Sequence, residues 1–384
     1  MKLAYITAED PHDINGWSGL SYYIAESVRR QGAEFEYLGP LGSKDSLGMK
    51  IRRRWYRMLG KRMLEIREPS IVKSWGRQAM AKMKNVKADA IFCTHTEYLS
   101  EFQSDLPIAY FSDSNFGCML DAYPQFDKLP AATIQRAHDW ERRALHRANL
   151  IIYACDWARD AAIDIYGVDP DKIKVLPFGA NIECDRTDEQ VAQLIEQRPT
   201  DHCHLLFLGK RWKRKGGDTV VAVTEELNRR GLPTTLTLIG SEPPRGQSLP
   251  DCVRRLGFIN KADPDGLKLF NDTIAGSHFL IVPSRAEAFG IVFCEAASFG
   301  VPSVATKAGG IPTAVRSGGN GETFPPDSSP AVYADFIENH FKDYDRYRGL
   351  AHSAWNEYKT RLNWDVTGKR AYGYLQEMIK NFRK

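Results

Sequence analysis

Short runs of consecutive apolar residues recur along the chain, and between them lie longer stretches in which apolar residues return every three or four positions. Runs of the first kind read as strands covered on both faces, and stretches of the second kind as helices with one covered face. The first half offers "KLAYIT", "EFEYLG", "ADAIFCT", "LPIAYFS" and "ANLIIYA" as strands, with helices over 18–31 and 131–147. The second half starts again with "HLLFLG", "TTLTLIG", "RRLGFI", "HFLIVPS" and "PSVATKA", with helices over 217–230 and 290–298. This alternation, made twice, predicts two α/β domains with parallel sheets and crossover helices. Residues 182–202 lie between them, rich in Asp, Glu and Gln and ending in "RPTDH", and read as a linker.

Size supports two cores, since 384 residues exceed what one usually organises. Fifty-two Lys and Arg against forty-eight Asp and Glu leave a net charge of only +4, so bulk charge does not point to nucleic acid and anion binding must be local. Seven scattered cysteines without a C-x-x-C pair suit reduced thiols and a cytoplasmic protein, and no metal framework is expected. The N-terminus enters a strand at once, and no apolar run reaches about 18 residues, so neither a secretion signal nor a spanning helix is expected. Neither a G-x-G-x-x-G after a strand nor a G-x-x-x-x-G-K-[ST] occurs, which removes the main support for dehydrogenase and P-loop functions.

The most informative stretch is "IVPSRAEAFGIVFCEAASFGVPSVATKAGG", residues 281–310. A strand passes into a helix through "RAEAF", leaving the first helical amides, near Phe289, Gly290 and Ile291, directed at the carboxyl end of the strand, where they suit a phosphate. Glu287 and Glu295 flank that point eight positions apart. Two acids repel a phosphate, so their natural partners are neutral hydroxyls, such as those of a sugar and a ribose; together these describe a nucleotide sugar. An ordinary strand–helix unit with a solvated glutamate fits the same residues. A second stretch, "HLLFLGKRWKRKGGDTVV", sets Lys210, Arg211, Lys213, Arg214 and Lys215 before a Gly-Gly that opens a helix, a turn suited to a diphosphate leaving group or to plain solvation. A third, "DINGWSGLSYYIAESVRRQG", presents Gly16 and Gly19 after the first strand and before an amphipathic helix, where a plain helix-entry turn accounts for them equally well.

Taken together these stretches resemble the retaining, nucleotide-sugar-dependent glycosyltransferases of family 4, over nearly the whole length. "PSRAEAFGIVFCEAASFGVPSVATKAGGIPTAV" is similar to the family's E-x7-E region and following Gly-Gly loop, "FLGKRWKRKGG" to its basic phosphate loop and "GWSGLSYYIA" to its N-terminal glycine loop. The resemblance implies the GT-B fold: two facing Rossmann-like domains, a cleft between them, and a C-terminal helix crossing back to the N-domain. The domains would be 1–181 on the acceptor side, completed by a helix over about 357–384, then the linker 182–202 and a nucleotide-sugar domain over 203–356. It also implies roles. Glu287 would hold donor-sugar hydroxyls and Glu295 the ribose, while the amides of Phe289, Gly290 and Ile291 meet the diphosphate. Lys215, with Lys210 or Arg211, would neutralise the diphosphate; Gly16 and Gly19 would approach it from the N-domain, and Phe258 and Ile259 in "GFINK" would hold the base. The donor would be UDP- or GDP-linked, the acceptor a sugar, lipid or other hydroxyl, and no cofactor, bound metal or nucleic acid is expected.

Two departures stand out. Asp113 occupies the place where many members carry a His, so a role assigned to that His does not transfer, although Asp113 can accept a hydrogen bond from a sugar hydroxyl; His95 in "FCTHTEY", at the end of another strand, is either an alternative acid–base candidate or a structural residue. Thr313 stands where many members have Glu. Outside the family pattern, "MKIRRRWYRMLGKRM" places seven Lys or Arg between Lys50 and Arg62 with no acid. Ile51, Trp55, Met58 and Leu59 recur there at helical spacing, and Lys50, Arg54, Arg57 and Lys61 share another face. Such a helix either docks on an anionic membrane or acceptor, placing the enzyme at the inner membrane face, or packs its apolar face on the core. The expectation is a metal-independent hexosyltransferase acting in glycan or glycolipid biosynthesis. The alternatives are a non-transferring enzyme of the same fold, such as a sugar-nucleotide epimerase, and a basic binding protein without catalysis.

Overall fold

The computed structural model describes residues 1–14, 16–43 and 46–384. Its strands form two separate six-stranded sheets. The first contains β1 (Lys2–Ile6), β2 (Glu34–Tyr37), β3 (Ala90–Cys93), β4 (Ile108–Ser112), β5 (Leu150–Tyr153) and β6 (Ile173–Val175), in the order β2-β1-β3-β4-β5-β6. The second contains β7 (Cys203–Leu208), β8 (Thr234–Ile239), β9 (Val253–Gly257), β10 (Phe279–Val282), β11 (Ser303–Thr306) and β12 (Gly321–Phe324), in the order β12-β11-β10-β7-β8-β9. Neighbouring strands are parallel throughout. Burial explains why the central strands read as unbroken apolar runs: Leu3 to Ile6, Ala90 to Cys93 and Phe279 to Val282 are all fully buried. By contrast, the outer strands β2 and β9 carry Glu34, Glu36, Arg254 and Arg255, charges that discourage pairing with another sheet.

Two of these strands have no counterpart in the hydrophobic pattern. β6 is the three-residue Ile-Lys-Val and β12 is Gly-Glu-Thr-Phe, and neither forms an apolar run, because each is an outermost strand with one neighbour. The helix expected over 290–298 is shorter, Ile291–Ala297, and the one expected from residue 18 begins at Leu20.

The chain divides into two compact units, Met1–Phe178 with Trp364–Lys384, and Gly179–Asn363. In the first unit the terminal helix Trp364–Phe382 packs on the helix Leu20–Arg29. A Cβ on Gly368 would stand 2.2 Å from the Ser27 carbonyl oxygen, the Trp364 and Tyr23 rings stack at 6.1 Å, and Thr367 Oγ1 donates to Pro177 O at 2.6 Å. The second unit incorporates the segment expected as a linker. Within 182–202 a helix, Asp188–Glu196, is started by a capping box between Thr187 and Gln190 and buries Val191 and Ile195. Arg198 follows it and is itself buried, donating to the carbonyls of Ala275, Phe299 and Gly300 and to Tyr347 Oη. The polar composition of the segment hid an i, i+4 apolar pair and an arginine satisfied by main chain.

Candidate functional site

In a doubly wound sheet, ligands meet the carboxyl ends of the strands where the strand order reverses. In the second sheet the reversal falls between β7 and β10. The segments leaving those two strands, residues 209–216 and 283–290, are the two basic and acidic stretches singled out from sequence.

After β7 the chain makes one helical turn, Trp212–Lys215, and ends it at Gly216 with φ 80°. A Cβ on Gly216 would lie 2.3 Å from the Pro283 carbonyl oxygen, so glycine is what lets the two segments close on each other. This contact aims Lys215 inward. Its side chain is buried and its ammonium pairs with the Glu287 carboxylate at Oε2. Arg214 Nη1 lies 3.4 Å from the same oxygen and donates to Ala286 O at 2.7 Å, and Ser284 Oγ approaches Oε2 at 3.4 Å. Lys215, expected with Lys210 or Arg211 at a diphosphate, is thus held by an acid, and Arg214 of the same basic turn bridges the two segments. Lys210, Arg211 and Lys213 remain exposed.

The main chain of Glu287 is fixed from a third segment. Gly310 N donates to Glu287 O at 3.1 Å, and Gly309, with φ 55°, would place a Cβ only 2.0 Å from that oxygen. The Gly-Gly that closes the 281–310 stretch is therefore a seat for the Glu287 backbone. Beyond it, Phe289 is buried, and Gly290, with φ 95°, caps the helix whose first residue is Ile291. The first N–H groups of such a helix lack intrahelical acceptors.

Glu295 sits in the second turn of that helix and is buried. A buried carboxylate requires a partner, and Lys261 supplies it, donating from Nζ to Glu295 Oε1 at 2.7 Å and to Asn181 O at 3.2 Å. Lys261 was missed in the sequence, although it ends the "GFINK" stretch, because nothing in local spacing ties it to an acid 34 residues away. The neighbouring Phe258 is exposed, with Lys210 Nζ 5.0 Å from its ring centroid, and Ile259 is buried. The second unit thus brings Lys210 to Phe258, Lys215 and Arg214 to Glu287, and Lys261 to Glu295.

The remaining predicted residues belong to the first unit, whose strand order reverses between β1 and β3. The glycine turn Gly16–Gly19 follows β1 and passes through the left-handed region at Trp17 (φ 45°), Ser18 (φ 57°) and Gly19 (φ 82°). Non-glycine residues rarely stay there. The Trp17 ring packs on His95, just past β3, with centroids 4.7 Å apart. His95 Nδ1 lies 3.1 Å from Thr94 Oγ1, and burial lowers its pKa, favouring the neutral ring. Asp113 follows β4, buried, with Ser114 Oγ donating to its Oδ1 at 3.0 Å. The structure brings His95 to the glycine turn through Trp17.

Comparison with known proteins bears on both units. The family model described as Glycosyltransferase Family 4 matches residues 14–183, and that described as Glycosyl transferases group 1 matches residues 202–343. Curated relatives include D-inositol 3-phosphate glycosyltransferases from Acidothermus cellulolyticus (30% identical over 58% of this chain and 51% of the relative) and Nocardia farcinica (29% identical over 54% and 52%). The chain therefore spans about half the length of these relatives. Among solved structures, sucrose-phosphate synthase from Thermosynechococcus elongatus superposes with a TM-score of 0.70 at 17% identity, covering 99% of this chain and 100% of that one. Anabaena HepE in complex with UDP and glucose superposes with a TM-score of 0.63 at 18% identity, covering 98% and 99%. At such identity the likeness shows the fold, two Rossmann-like α/β domains of the GT-B kind.

Proposed function

Because the chain belongs to the glycosyltransferases of the family 4 type, we propose that it moves a hexose-type sugar from a nucleoside diphosphate to an acceptor hydroxyl with retention at the anomeric carbon. The observation that carries this reading is the pairing of each acid of the 281–310 stretch with a lysine from a different segment, at the strand-order reversal of the second sheet. So neutralised, the acids no longer repel a diphosphate, and each can accept from a hydroxyl. The three donors to Glu287 converge on Oε2, so Oε1 is the oxygen that a donor-sugar hydroxyl would meet. Glu295 would receive the ribose, and Phe258 and Ile259 would flank the base. Lys210, Arg211 and the N–H groups at Phe289, Gly290 and Ile291 would receive the diphosphate, whose charge rises as the bond to the sugar breaks. Lys215 would join them as the donor enters. In the first unit Gly16 and Gly19 would take the part of the family's glycine loop, and Asp113 or His95 would accept from or donate to a sugar hydroxyl. HepE, of the same fold, was solved with UDP and glucose, so UDP is the first nucleotide to test.

The two acids should fail differently. Glu295→Ala is expected to weaken binding of free UDP or GDP about tenfold or more, as loss of a charged hydrogen-bonding partner does. Glu287→Ala frees Lys215 and should keep diphosphate binding while lowering transfer by about 10²-fold. Calorimetry with free diphosphates and a transfer assay measure both. Diphosphate binding and transfer unchanged in both variants would refute the site. Parent transfer abolished by a chelator and restored by magnesium would refute the metal-independent mechanism.

A further inference from the structure

The sequence left two roles open for the basic helix, and the structure removes one of them. The helix Leu47–Met58 is capped at its start by Ser46 Oγ, which accepts from Met49 N at 3.3 Å. Its end is closed by Gly60 N donating to Arg57 O and Lys61 N to Tyr56 O, at 3.1 and 2.8 Å. Met49, Arg53 and Tyr56 face the protein, and Met49 alone is buried. Arg52 pairs with buried Glu68, and Arg53 Nε lies 2.6 Å from Glu65 Oε1, so these two arginines tie the helix down. The opposite face is apolar and outward: Leu47 is 74% exposed, Ile51 60%, Trp55 61% and Met58 80%, with Leu59 continuing the row at 59%. Of twelve exposed large apolar side chains among the described residues, six lie between Leu47 and Ile66. An amphipathic helix in a water-soluble unit ordinarily points its apolar stripe inward; this one is held the other way by its arginines.

We propose that the face formed by Leu47, Ile51, Trp55 and Met58 docks on an anionic lipid bilayer. Charge selects the occupant. Lys50, Arg54 and Arg57 run along one side of the apolar row, and Lys61 lies just past the helix end; none of them makes an ion pair among the described residues. A helix with an apolar ridge beside unpaired cations lies in the interface between headgroups and acyl chains, the ridge inserted and the cations against anionic headgroups. A second copy of the chain is disfavoured, because a two-fold contact through this face would set these cations against their own equivalents. Nucleic acid would use the cations and leave the ridge in water. Docking goes beyond glycosyl transfer and does not depend on it.

The test is co-sedimentation of the full chain with vesicles of phosphatidylcholine alone and with vesicles in which phosphatidylglycerol replaces part of it. The parent should bind the mixed vesicles and be released by salt. Ile51→Ser with Trp55→Ser should abolish binding without lowering the thermal midpoint, because both side chains are exposed. Arg54→Gln with Arg57→Gln should weaken binding about fivefold per charge. Free-UDP affinity serves as the control in every variant and should not move. Equal binding to both vesicle types, or parent-like binding by the serine variant, overturns the proposal. So does a dimer in sedimentation velocity that the serine substitutions dissociate while the parent ignores vesicles.

Discussion

Glu287 and Glu295 belong to one short segment, yet each is neutralised from elsewhere in the second unit, across 72 residues for Lys215 and 34 for Lys261. The acids and their spacing were legible in the chain; their partners were not, because an ion pair across such separations leaves no periodic trace. The Gly-Gly after the acids was also legible, but as a loop rather than as the seat of Glu287. Gly309→Ala is therefore a sharp probe. The left-handed backbone alone costs about 1–2 kcal/mol for alanine, and the added Cβ would collide with Glu287 O. We expect a loss of more than about 2 kcal/mol in urea unfolding together with weakened donor binding. Gly231 has φ 84° but no atom within 4 Å of its Cβ position, so Gly231→Ala should cost only about 1 kcal/mol and spare donor binding. Equal effects from the two substitutions would mean that Gly309 does not seat Glu287.

At the scale of elements, the strands of the sheet interiors and the long helices follow from apolar period, whereas β6, β12 and the helix Asp188–Glu196 do not. The segment containing that helix continues into Arg198, which reaches the neighbourhood of His278, the residue before β10. His278 Nδ1 accepts from His204 N at 2.9 Å and Nε2 lies 2.9 Å from Pro199 O, so a neutral ring protonated on Nε2 satisfies both. Burial first, and the Arg198 charge second, push its pKa down to about 3. In the unfolded chain an imidazole titrates near 6.5. The contribution of the neutral ring to stability is thus complete above about pH 6.5 and is lost as pH falls, at up to about 1.4 kcal/mol per pH unit, or about 2 kcal/mol by pH 5. The thermal midpoint of the parent should fall between pH 6.5 and 5. His278→Gln, less stable at neutral pH, should show a flatter dependence. Parallel curves would assign the acid sensitivity to other groups.

At the scale of the whole molecule, the last 21 residues are far in sequence from the unit that contains them. The helix Tyr344–Thr360 ends in the second unit, Asn363 Nδ2 donates back to Tyr358 O and Lys359 O at 2.7 and 2.8 Å, and the next helix belongs to the first unit. There it buries Trp364, Ala371, Leu375, Met378 and Ile379. Each large apolar side chain so buried is worth about 1.5–3 kcal/mol, so removal of 364–384 should cost more than about 5 kcal/mol, comparable to the whole stability of a domain. We expect proteolysis of the truncated chain to degrade Met1–Phe178 while a fragment near Gly179–Asn363 survives and still binds the diphosphate. Loss of both units at one protease concentration would show that they do not fold separately.

The chain by itself determined two parallel α/β sheets, the acidic and basic segments, and an unusual run of cations beside apolar residues. These follow from local period, composition and turn chemistry, which act over a few residues. Only the tertiary structure decided that Lys215 and Lys261 neutralise the two acids, that a polar connecting stretch is anchored by Arg198, and that His95 meets the glycine turn. It also decided that the apolar row of Leu47–Met58 faces outward. The physical reason is common to all four: pairing of a buried charge, a ring contact between segments, and the side of a helix that meets the core depend on groups brought together from distant parts of the chain.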